Sequence, residues 1–297
     1  MKAWRYILGF LALIAITIWL AVVFYPEPKL HLIACDVGQG DAILAVYGKT
    51  QILVDGGSNN EVLDCLSRHV PFWDREIELV ILSHPQTDHF AGLIEVFRRY
   101  RVNTFLATPI DSSTQGYQVL KDTVGGSGVK VLNPSRGMVI RLGLIHLDIL
   151  HPTEQYIASF TEGSGTNVLG AFTTSRDLND FSIVANLRLG NFDALLTGDI
   201  GPEVSDIIAE ELVESGSRTI EYIKIPHHGS KNGLSSKLLV ASSPEIAVIS
   251  VGKDNRYGHP HKEVIKLLSD KGIKILRTDE VGDIEIITDG SKWWLAD

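Results

Sequence analysis

Two histidines and an aspartate fall within six residues of this chain, His84-Pro85-Gln86-Thr87-Asp88-His89, following the apolar run Leu79-Val80-Ile81-Leu82. On a turn that leads from a strand into a helix, the first, fifth and sixth positions can face one cavity. Neutral imidazoles with carboxylates suit Zn, Mn or Fe. Gln86 is the weak member, because an amide carbonyl is a poorer ligand. A second carboxylate, Asp199, ends the apolar run Leu195-Leu196-Thr197-Gly198. There it can bridge two metals about 3.5–4 Å apart, or cap the helix that Pro202 opens. The third cluster is Ile225-Pro226-His227-His228-Gly229-Ser230. Adjacent histidines cannot both point inward from an extended backbone, so one is expected to be a ligand and the other to support it; His228 is the favoured ligand.

Two further groups are candidates for supporting roles. Asp55 ends Ile52-Leu53-Val54 before Gly56-Gly57, where a carboxylate can orient a ligand histidine or serve only the turn. The segment Asn255-Arg256-Tyr257-Gly258-His259-Pro260-His261 adds a guanidinium, a phenol and two histidines. Arg256 suits phosphate or carboxylate. His261 is a candidate ligand, proton donor or transition-state stabiliser. A plain surface loop is the alternative for the whole segment.

Short strands must position these groups. Leu30 to Cys35, Ala42 to Tyr47 and Gln51 to Val54 read as strands, with Gly48-Lys49 as the turn between the last two. A helix over 61–70, a buried strand over 78–82 and a helix over 90–100 follow; the late Arg98 and Arg99 favour the helix C-terminus. Strand 103–107, a helix near 116–123 and strands near 129–132, 138–141 and 144–150 continue the rhythm. Residues 153–178 break it, being rich in Ser, Thr and Gly, and read as a surface insertion. Strands at 182–189 and 192–196, helix 202–214, strand 220–225, helix 234–240, strand 245–251, helix 262–271 and strands near 273–277 and 283–288 complete the chain. This order predicts an α/β sandwich, two mixed sheets face to face with helices outside. No internal repeat is evident.

Composition bounds the function. With 44% hydrophobic and 21% charged residues, the 297-residue chain can bury a full globular core and is not disordered. A formal net charge of −9 argues against gripping nucleic acid by counterion release alone, so a polyanion would be held locally, by metal and a few cations. Cys35 and Cys65 are too few for a disulfide framework and have no metal-ligand spacing, though one bridge between them stays open. Leu32-Ile33-Ala34-Cys35 mimics a lipoprotein processing site but reads better as strand with a small buried cysteine.

From Tyr6 to Tyr25 there is no charged residue, which matches the roughly 20 residues that cross a bilayer core. Lys2 and Arg5 precede it, placing the amino terminus in the cytoplasm. The run is longer than the apolar core of a signal peptide and lacks a small-residue cleavage site. The expected organisation is a membrane anchor over 1–25, a linker over 26–29 and one globular domain over 30–297 that carries the candidate metal ligands, single-pass and extracytoplasmic.

The ordered motifs His84-x-x-x-Asp88-His89, Leu196-Thr197-Gly198-Asp199, Pro226-His227-His228-Gly229-Ser230 and the 255–261 segment resemble those of the metallo-β-lactamase superfamily. With Asp36-Val37-Gly38-Gln39-Gly40-Asp41-Ala42, the chain is similar, over about residues 30–290, to the hydrolase domain of the competence DNA-channel protein ComEC and its stand-alone relatives. With one span it resembles that domain alone, not the channel. The resemblance implies an αβ/βα sandwich and a centre of one or two divalent metals, Zn or Mn. His84 would serve the first metal, Asp88 and His89 the second, Asp199 would bridge, and His228 would complete the second site. It implies a metal-dependent phosphodiesterase or nuclease using metal-activated water at Asp88, with His261 or Arg256 assisting the leaving oxygen. DNA-uptake components are the implied partners. Two departures weaken the first metal. Gln86 stands where such domains have Asp, and Asn179-Asp180-Phe181-Ser182 replaces a histidine, leaving Asn179 and Asp180 in support. Hydrolysis of a cell-envelope ester or lactone, and a catalytically weakened binding domain, are the alternatives.

Overall fold

The computed structural model describes residues 2–23, 29–216 and 219–296, and gathers the short β-branched runs into two mixed sheets. In chain order the strands are β1 (Leu30–Ala34), β2 (Ile43–Tyr47), β3 (Thr50–Val54), β4 (Glu76–Leu82), β5 (Arg101–Ala107), β6 (Lys130–Leu132), β7 (Val139–Leu142), β8 (Ile145–His151), β9 (Glu162–Gly163), β10 (Phe172–Thr173), β11 (Val184–Leu189), β12 (Phe192–Leu196), β13 (Tyr222–Lys224), β14 (Ile246–Ile249), β15 (Lys274–Arg277), β16 (Ile284–Thr288) and β17 (Trp293–Leu295). The helices are α1 (Lys2–Val23), α2 (Glu61–His69), α3 (Thr87–Arg99), α4 (Gln115–Ser127), α5 (Glu154–Phe160), α6 (Pro202–Glu214), α7 (Ser236–Ser242), α8 (Lys262–Ser269) and α9 (Thr278–Val281).

One sheet runs β17-β16-β1-β2-β3-β4-β5-β6, the other β15-β14-β13-β12-β11-β8-β7. Leu32, Ala45, Ile52 and Leu79 of the first meet Leu147, Leu187, Ala194 and Leu196 of the second in a common core. Leu66 of α2, Leu93 of α3 and Leu120 of α4 cover the outer face of the first sheet. Ile208 of α6, Leu238 of α7 and Leu268 of α8 cover that of the second. The layers are therefore αβ/βα, as expected. The fully buried strand β14 is apolar without alternation because both its faces are covered.

Strands β3, β4 and β5 are parallel, as are β12, β13 and β14. Crossovers of this kind put loops outside the carboxyl ends of the strands, where open α/β sheets place their sites. Both parallel runs end at the same edge of the sandwich.

Several elements differ from expectation. Helix α3 begins at Thr87, with Gln86 at its N-cap, so Asp88 lies in the first turn. The segment 153–178 is not a bare loop. Thr153 caps α5 by accepting from the Tyr156 N–H, and β9 pairs with β10. Arg176 then lies 3.7 Å over the Phe160 ring, closing the segment on itself. The closing β17 and the one-turn α9 are too short to show a period in the sequence. Cys35 and Cys65 form one disulfide joining the end of β1 to α2.

Helix α1 is exposed over Ala3–Leu20, a stretch of mean hydropathy 1.8, long and apolar enough by composition to cross a membrane. Of the expected linker 26–29, only Lys29 falls among the described residues.

Candidate metal centre

Three buried imidazoles are held the same way round. Asp55 leaves β3 with φ +62, a turn that brings its carboxylate beneath the end of β4. Its Oδ1 accepts from the Ser83 N–H at 2.7 Å and its Oδ2 from the Ser83 hydroxyl at 2.7 Å. Oδ2 also lies 2.9 Å from His89 Nδ1. Having donated to Asp55, the Ser83 hydroxyl accepts from His84 Nδ1 at 3.0 Å. On the other sheet, the backbone carbonyl of Ser250 accepts from His228 Nδ1 at 2.9 Å. In the neutral form of each ring Nδ1 therefore carries the hydrogen, the tautomer that leaves Nε2 with a lone pair for a cation.

Those three Nε2 atoms, of His84, His89 and His228, are buried and have no hydrogen-bond partner. Orphaned buried acceptors are rare and call for a missing partner. Two of them converge on one carboxylate oxygen: Asp199 Oδ2 lies 3.3 Å from His89 Nε2 and 3.1 Å from His228 Nε2. Asp88 Oδ2 is 3.4 Å from His228 Nε2. Ligand atoms of Asp88, His89 and His228 lie within 4.8 Å of one another, and so do those of His84, His89 and Asp199. Imidazole nitrogens aimed at carboxylates across such gaps fit a divalent cation.

Local backbone explains the placements. His227 and His228 both adopt left-handed conformations, φ +51 and +53, so the chain is not extended there and the expected alternation does not apply. His228 is buried, whereas His227 is half-buried with its ring edge-on to His259 at 5.6 Å. Asp199 is not a helix cap: Gly201 occupies the N-cap of α6 and Pro202 its first turn. Gly40 is required where it stands, because a Cβ there would lie 2.1 Å from the Asp88 carbonyl oxygen.

Two residues were given no role in the sequence reading, although Asp41 lies in one of its motifs. Lys224 of β13 is 1% exposed; its ammonium donates to the Gly198 carbonyl at 2.7 Å and pairs with Asp199 Oδ1 at 3.0 Å and with Asp41 Oδ2. Asp41, 2% exposed, also has Oδ1 3.5 Å from His228 Nδ1. A lysine inside the apolar run Tyr222-Ile223-Lys224-Ile225 was the available signal, since lysine is almost never fully buried unpaired.

Opposing charges set the electrostatics. Burial alone would raise the Asp199 carboxyl, but His228, Lys224 and His89 around it hold it well below the usual carboxylate range. Burial would likewise lower His89 and His228. Asp199 with Asp55, and Asp199 with Asp41, outweigh it and raise both rings well above an ordinary imidazole. His84 is held neutral, pushed down to about 3 by burial and the neighbouring His89. Burial raises Asp55 despite its contact with His89.

The remaining predicted residues lie outside this knot. Gln86 Nε2 points to Asp177 Oδ1 at 3.5 Å. Asn179 is buried in a 3-10 turn with its Oδ1 lacking a hydrogen-bond partner, as the three Nε2 atoms do, whereas Asp180 is 3.8 Å from the Arg176 guanidinium. His261 sits at the N-cap of α8, its Nδ1 accepting from the Lys231 N–H at 3.2 Å and its ring 4.9 Å from that of His259. Arg256 is exposed, and among the described residues no ion pair joins it to the cluster.

A sandwich of two mixed sheets with such a histidine–aspartate knot on their common edge is the framework of metal-dependent hydrolases of the metallo-β-lactamase type. Residues 35–253 match the metallo-beta-lactamase superfamily, and the chain belongs to it. It is similar to ComE operon protein 3 of Bacillus subtilis (strain 168), 24% identical over 294 residues that cover 92% of this chain and 35% of that protein. Recombination protein 2 of Haemophilus influenzae is 29% identical over 246 residues, 82% of this chain and 27% of that one. The chain thus spans about a third of the length of the curated relatives it matches. Among solved structures, the metallo-beta-lactamase fold protein YhfI from Bacillus subtilis superposes with a TM-score of 0.54 at 12% identity, covering 91% of this chain and 100% of that one. CmlA, a diiron beta-hydroxylase from Streptomyces venezuelae, gives 0.50 at 16% identity, with 85% and 53% covered. These two likenesses concern the fold alone.

Proposed function

We propose that this chain is a membrane-tethered hydrolase of phosphodiesters, nucleic acid foremost, working with Zn or Mn. The observation that carries the reading is the convergence of three partnerless Nε2 atoms on Asp88 and Asp199. Asp88, His89, Asp199 and His228 would hold one cation. His84 and Asp199 would begin a second site, which Gln86 completes poorly. Cations bound there supply Lewis acidity that activates water and offsets charge on the scissile phosphoryl group.

The chain's own residues do the rest. Asp55 and the Ser250 carbonyl keep His89 and His228 in the ligating tautomer. Lys224 occupies Asp199 Oδ1, so that Oδ2 alone faces the two imidazoles. His227, His259 and His261 line the rim and are placed to pass a proton to a leaving oxygen. Arg256, on the exposed loop beside them, would meet a phosphate only when substrate arrives. The names of the relatives, among them a recombination protein and a competence protein, favour nucleic acid as substrate and DNA-uptake components as partners.

Helix α1 would anchor the chain over residues 1–25, with the hydrolase domain over 30–297 outside the cytoplasm. The Cys35–Cys65 disulfide supports that side of the membrane, because such bonds persist in oxidising compartments. Full-length protein in detergent, loaded with Mn or Zn, should cleave single-stranded DNA or a chromogenic phosphodiester, and Asp88→Ala should abolish the cleavage. Turnover of small carboxylic esters or lactones instead would move the assignment to an envelope esterase. Purification without stoichiometric metal, and no metal-dependent turnover, would reduce the domain to a binding module.

A further inference from the structure

The domain carries exposed aromatic residues at the edge opposite the metal centre. Phe72 and Trp73, in the turn between α2 and β4, are 78% and 64% exposed, their rings edge to face at 4.9 Å. Strand β1 is antiparallel to β2, β2 to β3, and β3 is parallel to β4. The first residues of β1 and β4, Leu30 and Glu76, therefore lie at one edge of the sheet, while Asp55 and His84 lie at the other. Pro71 lines one cleft with His31 and Gly48, which brings the aromatic turn beside the point where the chain enters β1. Trp294 stands at the same edge: its neighbour Trp293 pairs with Thr288, which pairs with Leu30, and Lys29 lies 5.3 Å over the Trp294 ring.

That edge is also where the tether leaves. From Val23, the end of α1, to Lys29 there are six peptide steps, which reach at most roughly 22 Å. A domain on so short a leash cannot stand far from the bilayer. Tryptophan and phenylalanine at such a distance match the headgroup layer, where amphipathic rings concentrate, and the exposed Lys49 of the β2–β3 turn can snorkel beside them. We infer that the edge formed by Phe72, Trp73 and Trp294 rests on the interface of the membrane that α1 crosses. The inference rests on the tether reading above. It directs the metal centre away from the lipid, at a height of about the seven residues of β4, roughly 23 Å, open to substrate in the aqueous phase.

The test uses the full chain in phosphatidylcholine and phosphatidylglycerol vesicles. Both native cysteines are consumed by the disulfide, so one introduced cysteine takes one fluorophore. A label at Lys49→Cys should be quenched several-fold more by headgroup-proximal nitroxide lipids than a label at Lys253→Cys, on the exposed loop of the metal edge. Adding Phe72→Ser with Trp73→Ser should remove most of that quenching, while the chain still floats with the vesicles. Equal quenching at the two positions, or quenching untouched by the double substitution, overturns the inference. An unquenched label at Lys49→Cys on a chain that floats does so too, as would follow if the pair bound a protein partner. A chain that does not float with vesicles fails earlier, at the tether itself.

Discussion

Lys224 and Asp199 hold one another inside the molecule, Nζ 3.0 Å from Oδ1, each side chain 1% exposed. A lone ammonium at that depth would be untenable, and so would the paired Asp41 and Asp199 without it. The three groups form a closed unit in which the lysine is both a structural counterion and the stop that leaves Asp199 one free oxygen. Lys224→Met should lower the stability of the metal-free protein by about 3–5 kcal/mol, the usual effect of stranding one side of a buried pair. Urea unfolding reads this directly. An unchanged midpoint would mean that the carboxylates are neutral in the wild type.

Asp55 touches the proposed ligand His89 and no cation site of its own is needed for it to matter. Asp55→Ala should weaken metal binding about 10- to 100-fold, as loss of such orienting partners does, measured by competition with a chromogenic chelator. Unaltered affinity would show that burial alone fixes the ring.

Gln86→Asp should raise the metal content of the purified protein from nearer one equivalent towards two, read by elemental analysis. It should also raise phosphodiester turnover if the second cation takes part. No change in stoichiometry would assign the shortage to the absent histidine near Asn179.

His151 gives a pH signature remote from the cluster. Buried at the end of β8, with Nε2 donating to the Asp180 carbonyl at 2.9 Å, it is pushed down to about 4 by desolvation. Unfolded, it takes a proton near pH 6.5. Between those values the unfolded chain binds the extra proton, so the stability that His151 contributes is complete above pH 6.5 and disappears as pH falls towards 4. The amount is on the order of 3 kcal/mol. His151→Gln should flatten that part of the stability profile, checked by denaturant midpoints at pH 7, 5.5 and 4.5.

The Cys35–Cys65 bridge closes a loop of sequence separation 30. Replacing both cysteines with serine should cost about 3 kcal/mol, visible as a lower melting temperature under non-reducing conditions only.

Much of this was legible before any coordinates. The sandwich followed from strand and helix order, because runs such as Leu195-Leu196 and Leu79-Leu82 are apolar on both faces and end in ionisable residues. The cluster of His84, Asp88, His89, Asp199 and His228 followed from local motifs, each at a strand end. What stayed hidden depends on long-range partners. Lys224 and Asp41 are separated by most of the chain and gain meaning only when β13 meets the Gly38–Asp41 turn. The paired left-handed histidines obey no sequence rule for strands, since Gly229 and the contact of His227 N with the Gly198 carbonyl set their backbone. Helix α5 and the ribbon of β9 and β10 were missed because elements of two to seven residues carry too few side chains for a period to emerge.

The donors at the metal edge are split by origin. His84, Asp88 and His89 follow β4 of the eight-stranded sheet, whereas Asp199 and His228 follow β12 and β13 of the seven-stranded one. Neither leaf of the sandwich owns a complete coordination set. A cation held there acts as a rivet between the two leaves, so its binding energy counts towards their cohesion as well as towards chemistry. Removing a bound cation would then slacken the seam between the two leaves as well as take away its chemistry.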